Sequence, residues 1–371
     1  MSPKSFSLLL VLATTGHALS QSLVSPEVTS DNRVTFRLKA PQAREVQVQC
    51  EGVRGTNMVK DDLGVWSLTT EPLEPDIYTY SLLVDGVRMT DPANPLLKYN
   101  LLNTVSQVHV PGPQSLPWEI NDVPRGTVHH HFYKSKAAAD ERDFWVYTPP
   151  GYDPKARTRY PVLYLLHGYS DDASAWSSVG MANVILDNLI SRRQAKPMII
   201  VMPLGYGTME ILKAGWGRVR SPELRQRNQE KFRDCLLLEV KPQVEKAYRT
   251  LPQPGSRAIA GLSMGGAEAL YVGLNNLDQF AWVGAFSAGV RETNYASQFP
   301  KLDARAKRQL RLFWIGCGEQ DGLMADNEKL DQWLEAKDIQ HTFVRTAGQH
   351  SFRVWRRYLA DFAPLLFQPR K

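Results

Sequence analysis

The chain has 371 residues, 43% of them hydrophobic and 22% charged, which is enough for two domains and excludes a fibrous, repeat or disordered composition. Its formal charge of +6 comes from 44 basic and 38 acidic residues spread along the chain. Clusters such as RRQAK (192–196) and RVRSPELRQR (218–227) have no interleaved stacking aromatics, so a solvated face is expected rather than a nucleic-acid surface.

The first residues, MSPKSFSLLLVLATTGHALSQS, carry a positive flank at Lys4, a short apolar run over 6–13 and a small-residue pattern before Gln21. This is the layout of an export signal over 1–20, and the run is too short to span a bilayer. A secreted or periplasmic mature protein without a membrane anchor is expected.

Residues 21–112 are expected to form a β-sandwich. RVTFRLKAP, EVQVQCEG, VWSLTTEPL, DIYTYSLLVDGV and TVSQVHV are short alternating runs cut by Gly, Pro and Asp turns. Trp66 shares a strand face with Leu68, and Tyr78 and Tyr80 share one with Leu82 and Val84, so these rings are expected to fill the sandwich core. The Pro- and Gly-rich stretch over 113–125 is expected to be a linker.

From 126 onward strands alternate with helices. Strands are expected over 143–150, 161–168, 197–203, 256–261, 281–289, 311–318 and 341–348, and helices over 180–193, 228–249, 264–275, 326–338 and 352–360. The runs 161–166 and 198–202 are apolar on both faces, as a parallel sheet covered by helices requires. The expected class is therefore α/β, an α/β-hydrolase domain (126–371) behind an all-β immunoglobulin-like sandwich. In such a sheet, functional groups gather on loops at the strand C-terminal ends. Alternate residues of a strand face opposite ways, so His129, His130 and His131 make a poor chelate. The three cysteines, Cys50, Cys235 and Cys317, are too few for a disulfide framework, and no CxxC or HExxH spacing occurs, so no metal is expected.

AIAGLSMGGAEAL (258–270) sets Gly261 and Gly265 two residues either side of Ser263, between a strand-like run and a helix-forming one. A serine on a strained strand-to-helix turn leaves no room for side chains at those offsets. A serine nucleophile needs an imidazole base, and only His341 and His350 follow it. His341 opens an expected strand, whereas His350 lies in a loop ahead of the last helix, so His350 is chosen. The orienting acid is expected after strand 311–318, at Asp321, with Glu319 the fallback. The order Ser, Asp, His agrees with an α/β-hydrolase. The oxyanion donors are expected at the backbone N–H of Met264 and of Tyr169, in the loop that follows Gly168, with His167 a structural residue of that turn. Trp176, Tyr206 and Trp216 lie in loops on the same side and could stack on a sugar or phenolic group, or roof the core.

VYTPPGYDP, YPVLYLLHGYSDDASAW, GLSMGG, CGEQD and GQHSFRVWRRYLADFAPLLF together resemble the esterase D-like family that includes the feruloyl and acetyl xylan esterases of carbohydrate esterase family 1, over nearly all of 126–368. The stretch 64–95 resembles the immunoglobulin-like module that precedes the catalytic domain of glycogen-branching enzymes. The resemblance implies Ser263, Asp321 and His350 as nucleophile, acid and base, Tyr169 and Met264 as oxyanion donors, and no cofactor. It also implies a feruloyl or acetyl ester of a plant polysaccharide such as xylan as substrate. A siderophore trilactone esterase is the alternative, with a mycolyltransferase-like enzyme and a non-catalytic carbohydrate-binding protein more remote. Removal of 21–112 is expected to spare hydrolysis of a small soluble ester.

Overall fold

The computed structural model describes residues 23–213, 215, 221–291, 294–302 and 306–369. The export segment expected over 1–20 and Trp216 lie outside the described residues.

Residues 27–110 fold into two antiparallel sheets. One has the order Glu27–Val28, Val34–Lys39, Val65–Thr69, Val59–Lys60. The other has the order Val46–Cys50, Asp76–Val84, Val105–Val110, Leu97–Lys98, with Val87–Met89 added on Asp76–Val84. Alternation sends Val34, Phe36, Trp66, Tyr78, Tyr80 and Leu82 into one buried cluster between the sheets. Phe36, Trp66, Tyr78 and Tyr80 are thus core residues, with Phe36 and Tyr80 at a ring separation of 4.6 Å.

The rest of the chain builds an eight-stranded sheet. Its order is Thr127–Lys134, Glu141–Thr148, Ile199–Pro203, Val162–Leu166, Arg257–Leu262, Trp282–Phe286, Leu312–Gly318, Thr342–Thr346. The first two strands pair antiparallel and the last six run parallel, which matches the doubly covered apolar runs in the sequence. Apolar cores lie on both faces of this sheet. The helix expected from 228 begins earlier, at Pro222, because the Ser221 hydroxyl accepts the Leu224 N–H and Pro222 fits the first turn. Through a π-helical segment, Cys235–Val240, it continues to Ala247. No helix among the described residues is long and apolar enough to cross a membrane.

The segment 113–125 is pinned to the hydrolase domain rather than strung loosely between domains. Asn188 donates to the carbonyls of Pro117 and Glu119, Arg192 donates to those of Gln114 and Ser115, and the Trp118 ring lies 4.7 Å from the Arg357 guanidinium. Beside it the last long helix, Phe352–Phe362, presents Arg353, Arg356 and Arg357 to the module, at the i, i+3, i+4 spacing of one helix face. All three converge on the fully buried Asp76. Arg356 pairs with Asp76 Oδ1, Arg357 Nη1 lies 2.5 Å from Oδ2 and Arg353 Nε 3.5 Å from it. Arg356, itself fully buried, also donates to the carbonyls of Ile77 and Val179.

The buried Asp76 carboxylate thus compensates guanidinium charge at the centre of the domain contact, while the exposed Glu74 reaches Arg353 at 3.7 Å. Removing one partner of such a pair leaves the other desolvated and uncompensated. Asp76→Ala is accordingly expected to lose about 3–5 kcal/mol of stability, measurable as a lowered urea midpoint. A loss under about 1 kcal/mol would mean that the contact is solvated and contributes little.

Candidate active site

Strand Arg257–Leu262 runs straight into helix Met264–Asn275, and Ser263 is the single residue of the turn between them. Its backbone sits at φ 53° and ψ −115°, a conformation a side-chain-bearing residue adopts only under strain. Hydrogen bonds hold it there: the Ser263 N–H donates to Phe286 O, and the Ser263 carbonyl accepts from Gly289 and Ala267. A Cβ on Gly261 would lie 2.4 Å from the Gly265 carbonyl oxygen, and one on Gly265 would lie 2.3 Å from that of His167. Both contacts are with backbone atoms that cannot relax, so both positions require glycine.

His350 arrives from the loop ahead of helix Phe352–Phe362. Its Nε2 lies 2.9 Å from Ser263 Oγ, and its Nδ1 lies 2.8 Å from Asp321 Oδ2. Asp321 is buried in the turn after strand Leu312–Gly318, and its other oxygen accepts the Leu323 N–H. Burial by itself would raise the Asp321 carboxyl. The hydrogen bond and charge of His350, with the Leu323 N–H, outweigh it and hold the carboxyl below its ordinary value. The chain of contacts fixes the imidazole so that Nδ1–H faces the carboxylate and Nε2 can take the serine proton. Glu319, the fallback acid, is exposed to solvent, and its N–H donates to Thr346 O. His341 is committed elsewhere, to Asp331 at 2.8 Å and to Ile339 O.

Loop 168–171 lies against the serine. A Cβ on Gly168 would be 3.5 Å from Ser263 Cβ. The Tyr169 N–H therefore belongs to the loop beside the hydroxyl, and Met264 is the first residue of the helix that follows it. His167 is buried, accepts the Gly205 N–H at Nε2 and donates from Nδ1 to Gly168 O. It is a brace of this loop. Burial holds its imidazole below the ordinary histidine value.

The module clamps the same loop from outside. Asn100 donates to Ser170 Oγ at 2.9 Å and to Asp171 Oδ1 at 3.0 Å, the Leu101 N–H donates to Ser170 O, and Lys98 pairs with Asp171 at 3.1 Å. Ser170 itself has φ 70°, so the clamp holds a turn the chain would not favour alone. These contacts revise the expectation that residues 21–112 can be removed without effect on a small ester.

Two of the aromatic residues expected to stack on a ligand, Trp176 and Tyr206, are buried away from it. Trp176 is fully buried, its indole N–H donates to Leu166 O, and its ring packs edge-on against Phe286 and Phe352. Tyr206 is fully buried as well, with its hydroxyl donating to Asp171 O. Trp176 belongs to the core on one face of the sheet and Tyr206 to a small cluster with Tyr169, Ile211, Leu212 and Leu224, so neither ring is free to stack on a ligand. The histidine run is shared out: His129 meets Thr148, His130 meets Asp143, and His131 meets Tyr248. Cys50, Cys235 and Cys317 are buried and unbridged.

The residue that sequence reasoning missed is Glu268, on the helix that Ser263 leads into. It is buried, its Oε1 accepts from Asn228 at 2.7 Å, and its Oε2 has no hydrogen-bond partner among the described residues. Desolvation pushes its carboxyl well above the ordinary value of 4.5, and the Asn228 bond and Arg142 charge offset only part of this. A glutamate inside the otherwise small and apolar run GGAEAL was the available signal. Because the folded carboxyl keeps its proton where the unfolded chain has lost it, its contribution to stability is fullest below about pH 4.5 and fades as pH rises above that. Glu268→Gln, which cannot ionise, is expected to gain stability relative to the unmodified protein between about pH 5 and pH 8. Urea midpoints of both proteins across that range check it, and a constant difference would contradict it.

With this geometry in view, comparison with known proteins adds a family. A family model described as "Putative esterase" matches residues 135–365. The chain is 30% identical over 353 residues to an endo-1,4-beta-xylanase/feruloyl esterase of Xylanibacter ruminicola, covering 92% of this chain and 46% of that one. It is also 35% identical over 139 residues to an esterase of Mycobacterium tuberculosis, covering 37% of this chain and 26% of the other. The chain thus spans half or less of the length of these two relatives. Among solved structures, a ferulic acid esterase is similar at a TM-score of 0.54 and 27% identity, covering 65% of this chain and 97% of that one. An enterochelin esterase of Shigella flexneri is similar in fold at a TM-score of 0.69 and 20% identity, covering 97% and 99%. With the Esterase model matching more than half of its length, the chain belongs to that family of carboxylic-ester hydrolases.

Proposed function

We propose that the chain is a secreted serine esterase that cleaves feruloyl or acetyl esters of a plant cell-wall polysaccharide such as xylan. The observation that carries the mechanism is the continuous hydrogen-bonded chain from Ser263 through His350 to Asp321. His350 takes the Ser263 proton as Oγ attacks the ester carbonyl, and the developing oxyanion is met by the Met264 and Tyr169 N–H groups. His350 then gives that proton to the departing alkoxide, which leaves as the alcohol with the acyl group bonded to Ser263. Water, deprotonated by His350, attacks the acyl-enzyme and releases the carboxylic acid, returning the proton to Ser263.

Two cavities meet at Ser263 and sort the halves of the ester. Only one includes His350, and the leaving alcohol must depart on the side of the group that protonates it. The acyl group therefore takes the other, a cavity of about 310 Å³ whose walls include Ile211, Met264, Ala267 and Val290 together with Arg225, Asn228, Gln229, Glu268, Arg291 and Gln298. A cavity that mixes apolar walls with hydrogen-bonding groups suits an aromatic acyl group carrying oxygen substituents. Sequence similarity to a xylanase/feruloyl esterase supports the feruloyl reading.

A second reading, a catecholate trilactone esterase, is supported by the fold likeness to the Shigella enterochelin esterase, which extends over the module as well. Assay of the purified protein on methyl ferulate, acetylated xylan and a catecholate trilactone separates the readings, with ferulate expected to give the highest kcat/KM. Turnover of the trilactone alone would favour the second. Ser263→Ala is expected to lose about 10⁴-fold or more in kcat on whichever ester is cleaved, and retained activity would overturn the nucleophile assignment.

A further inference from the structure

Beneath the base and the acid lies a further layer of contacts, built on the segment 286–289 that follows strand Trp282–Phe286. Phe286 O and the Gly289 N–H hold the backbone of Ser263, and Ser287 between them is fully buried at φ 47°. A serine takes that left-handed conformation only where its surroundings fix it. Here they do. The Ser287 N–H donates to Gly316 O, and the buried Asn327 side chain accepts the Ala288 N–H and donates to the Ala288 carbonyl. Asn327 donates to Leu323 O as well, which ties the segment to the turn that carries Asp321.

The Ser287 hydroxyl completes a ring of side chains. Trp355, in helix Phe352–Phe362, donates its indole N–H to Ser287 Oγ at 3.0 Å, and its ring stands at 87° to the His350 imidazole with centroids 4.7 Å apart. An indole nitrogen only donates, and an ionised carboxylate only accepts. The Trp355 N–H therefore occupies a lone pair of Ser287 Oγ and leaves the hydroxyl hydrogen for Asp321, whose carboxyl this bond helps to hold low.

We infer that Ser287 is a positioning residue for the esterase reaction, anchored by Trp355, and that the ring His350, Asp321, Ser287, Trp355 sets how Asp321 holds the imidazole. The inference rests on the serine mechanism above and adds to it a residue that lines neither of the cavities meeting at Ser263. A hydroxyl that shares the carboxylate's charge weakens its pull on the imidazole proton. Without Ser287, Asp321 binds the protonated imidazole more tightly, so His350 becomes a free base only at higher pH. Nearby titratable groups leave the relevant range clear. Burial pushes Cys317, which is hydrogen-bonded to Ser287, and Tyr358 each up to about 12. Glu51, Lys98 and Asp171 line the same cleft as His350 and are unchanged by the substitutions below.

The test reads, against pH, the rate at which a fluorophosphonate phosphonylates Ser263, a reaction that needs no knowledge of the natural ester. Serine Oγ displaces fluoride as His350 takes its proton, so the midpoint of the rise with pH reports the proton on His350. Loss of folded protein cannot move that midpoint. Ser287→Ala is expected to raise it by about half a pH unit and to lower the plateau rate about tenfold. Trp355→Phe keeps a ring beside His350 but has no N–H, and is expected to shift the midpoint the same way by less. A Ser287→Ala midpoint that falls, or stays within about 0.2 unit of the unmodified protein, would overturn the inference whatever the plateau does. A serine that only fills space slows the reaction without touching the base. Should Ser287→Ala fail to fold, Trp355→Phe decides: an upward shift supports the inference and an unmoved midpoint overturns it. Absence of label on Ser263 of the unmodified protein would instead remove the serine mechanism, and the inference with it.

Discussion

The site depends on one strained residue. Ser263 occupies a backbone conformation that side chains avoid, and it stays there because hydrogen bonds on both sides and the close approach of Gly261 to Gly265 leave it no alternative. The same tight turn lets the helix start immediately after the strand. That puts the helix N-terminus, with its unpaired N–H groups, at the place where negative charge would develop on an attacked carbonyl. Strain at Ser263 and the site's electrostatics are consequences of one geometric requirement.

Around that turn, the two domains act on each other through charged groups at the edge of the site. The helix that begins two residues beyond His350 is the helix whose three arginines close on Asp76 of the sandwich. On the opposite side, Lys98, Asn100 and Leu101 hold the loop that carries Tyr169. The module thus grips both the base-bearing and the oxyanion-loop sides of the cleft. Glu51 and Thr79 then line the space left between them. The sandwich is better described as one half of a cleft than as an appendage to an enzyme.

Much of this was legible in the sequence where local rules decide the outcome. Alternation fixed the burial of Trp66, Tyr78 and Tyr80, and helix 264–275 was bounded by the elbow that starts it. Chain order and loop position singled out His350 over His341 and Asp321 over Glu319, and the hydrogen bonds run to those residues. What local rules do not carry was missed. Asp76 and Arg356 lie 280 residues apart, and nothing about either side chain announces the other. Trp176 lies in the short helix Ala175–Ser178 and Tyr206 in a loop, yet both rings are fully buried, a choice made by tertiary packing. The helix expected from 228 starts six residues earlier, because the Ser221 cap and Pro222 initiate it there. Glu268 needed knowledge of the fold to be seen as buried.

The central claim is that the Ser263 hydroxyl is the group His350 activates for attack. Its most direct measurement is the mass of the tryptic peptides after reaction with a fluorophosphonate, a reagent that phosphonylates activated serines by displacing fluoride. The account predicts one adduct, on the peptide bearing Ser263, and a strongly slowed reaction in His350→Ala. An adduct on another residue, or equal labelling without His350, would contradict it.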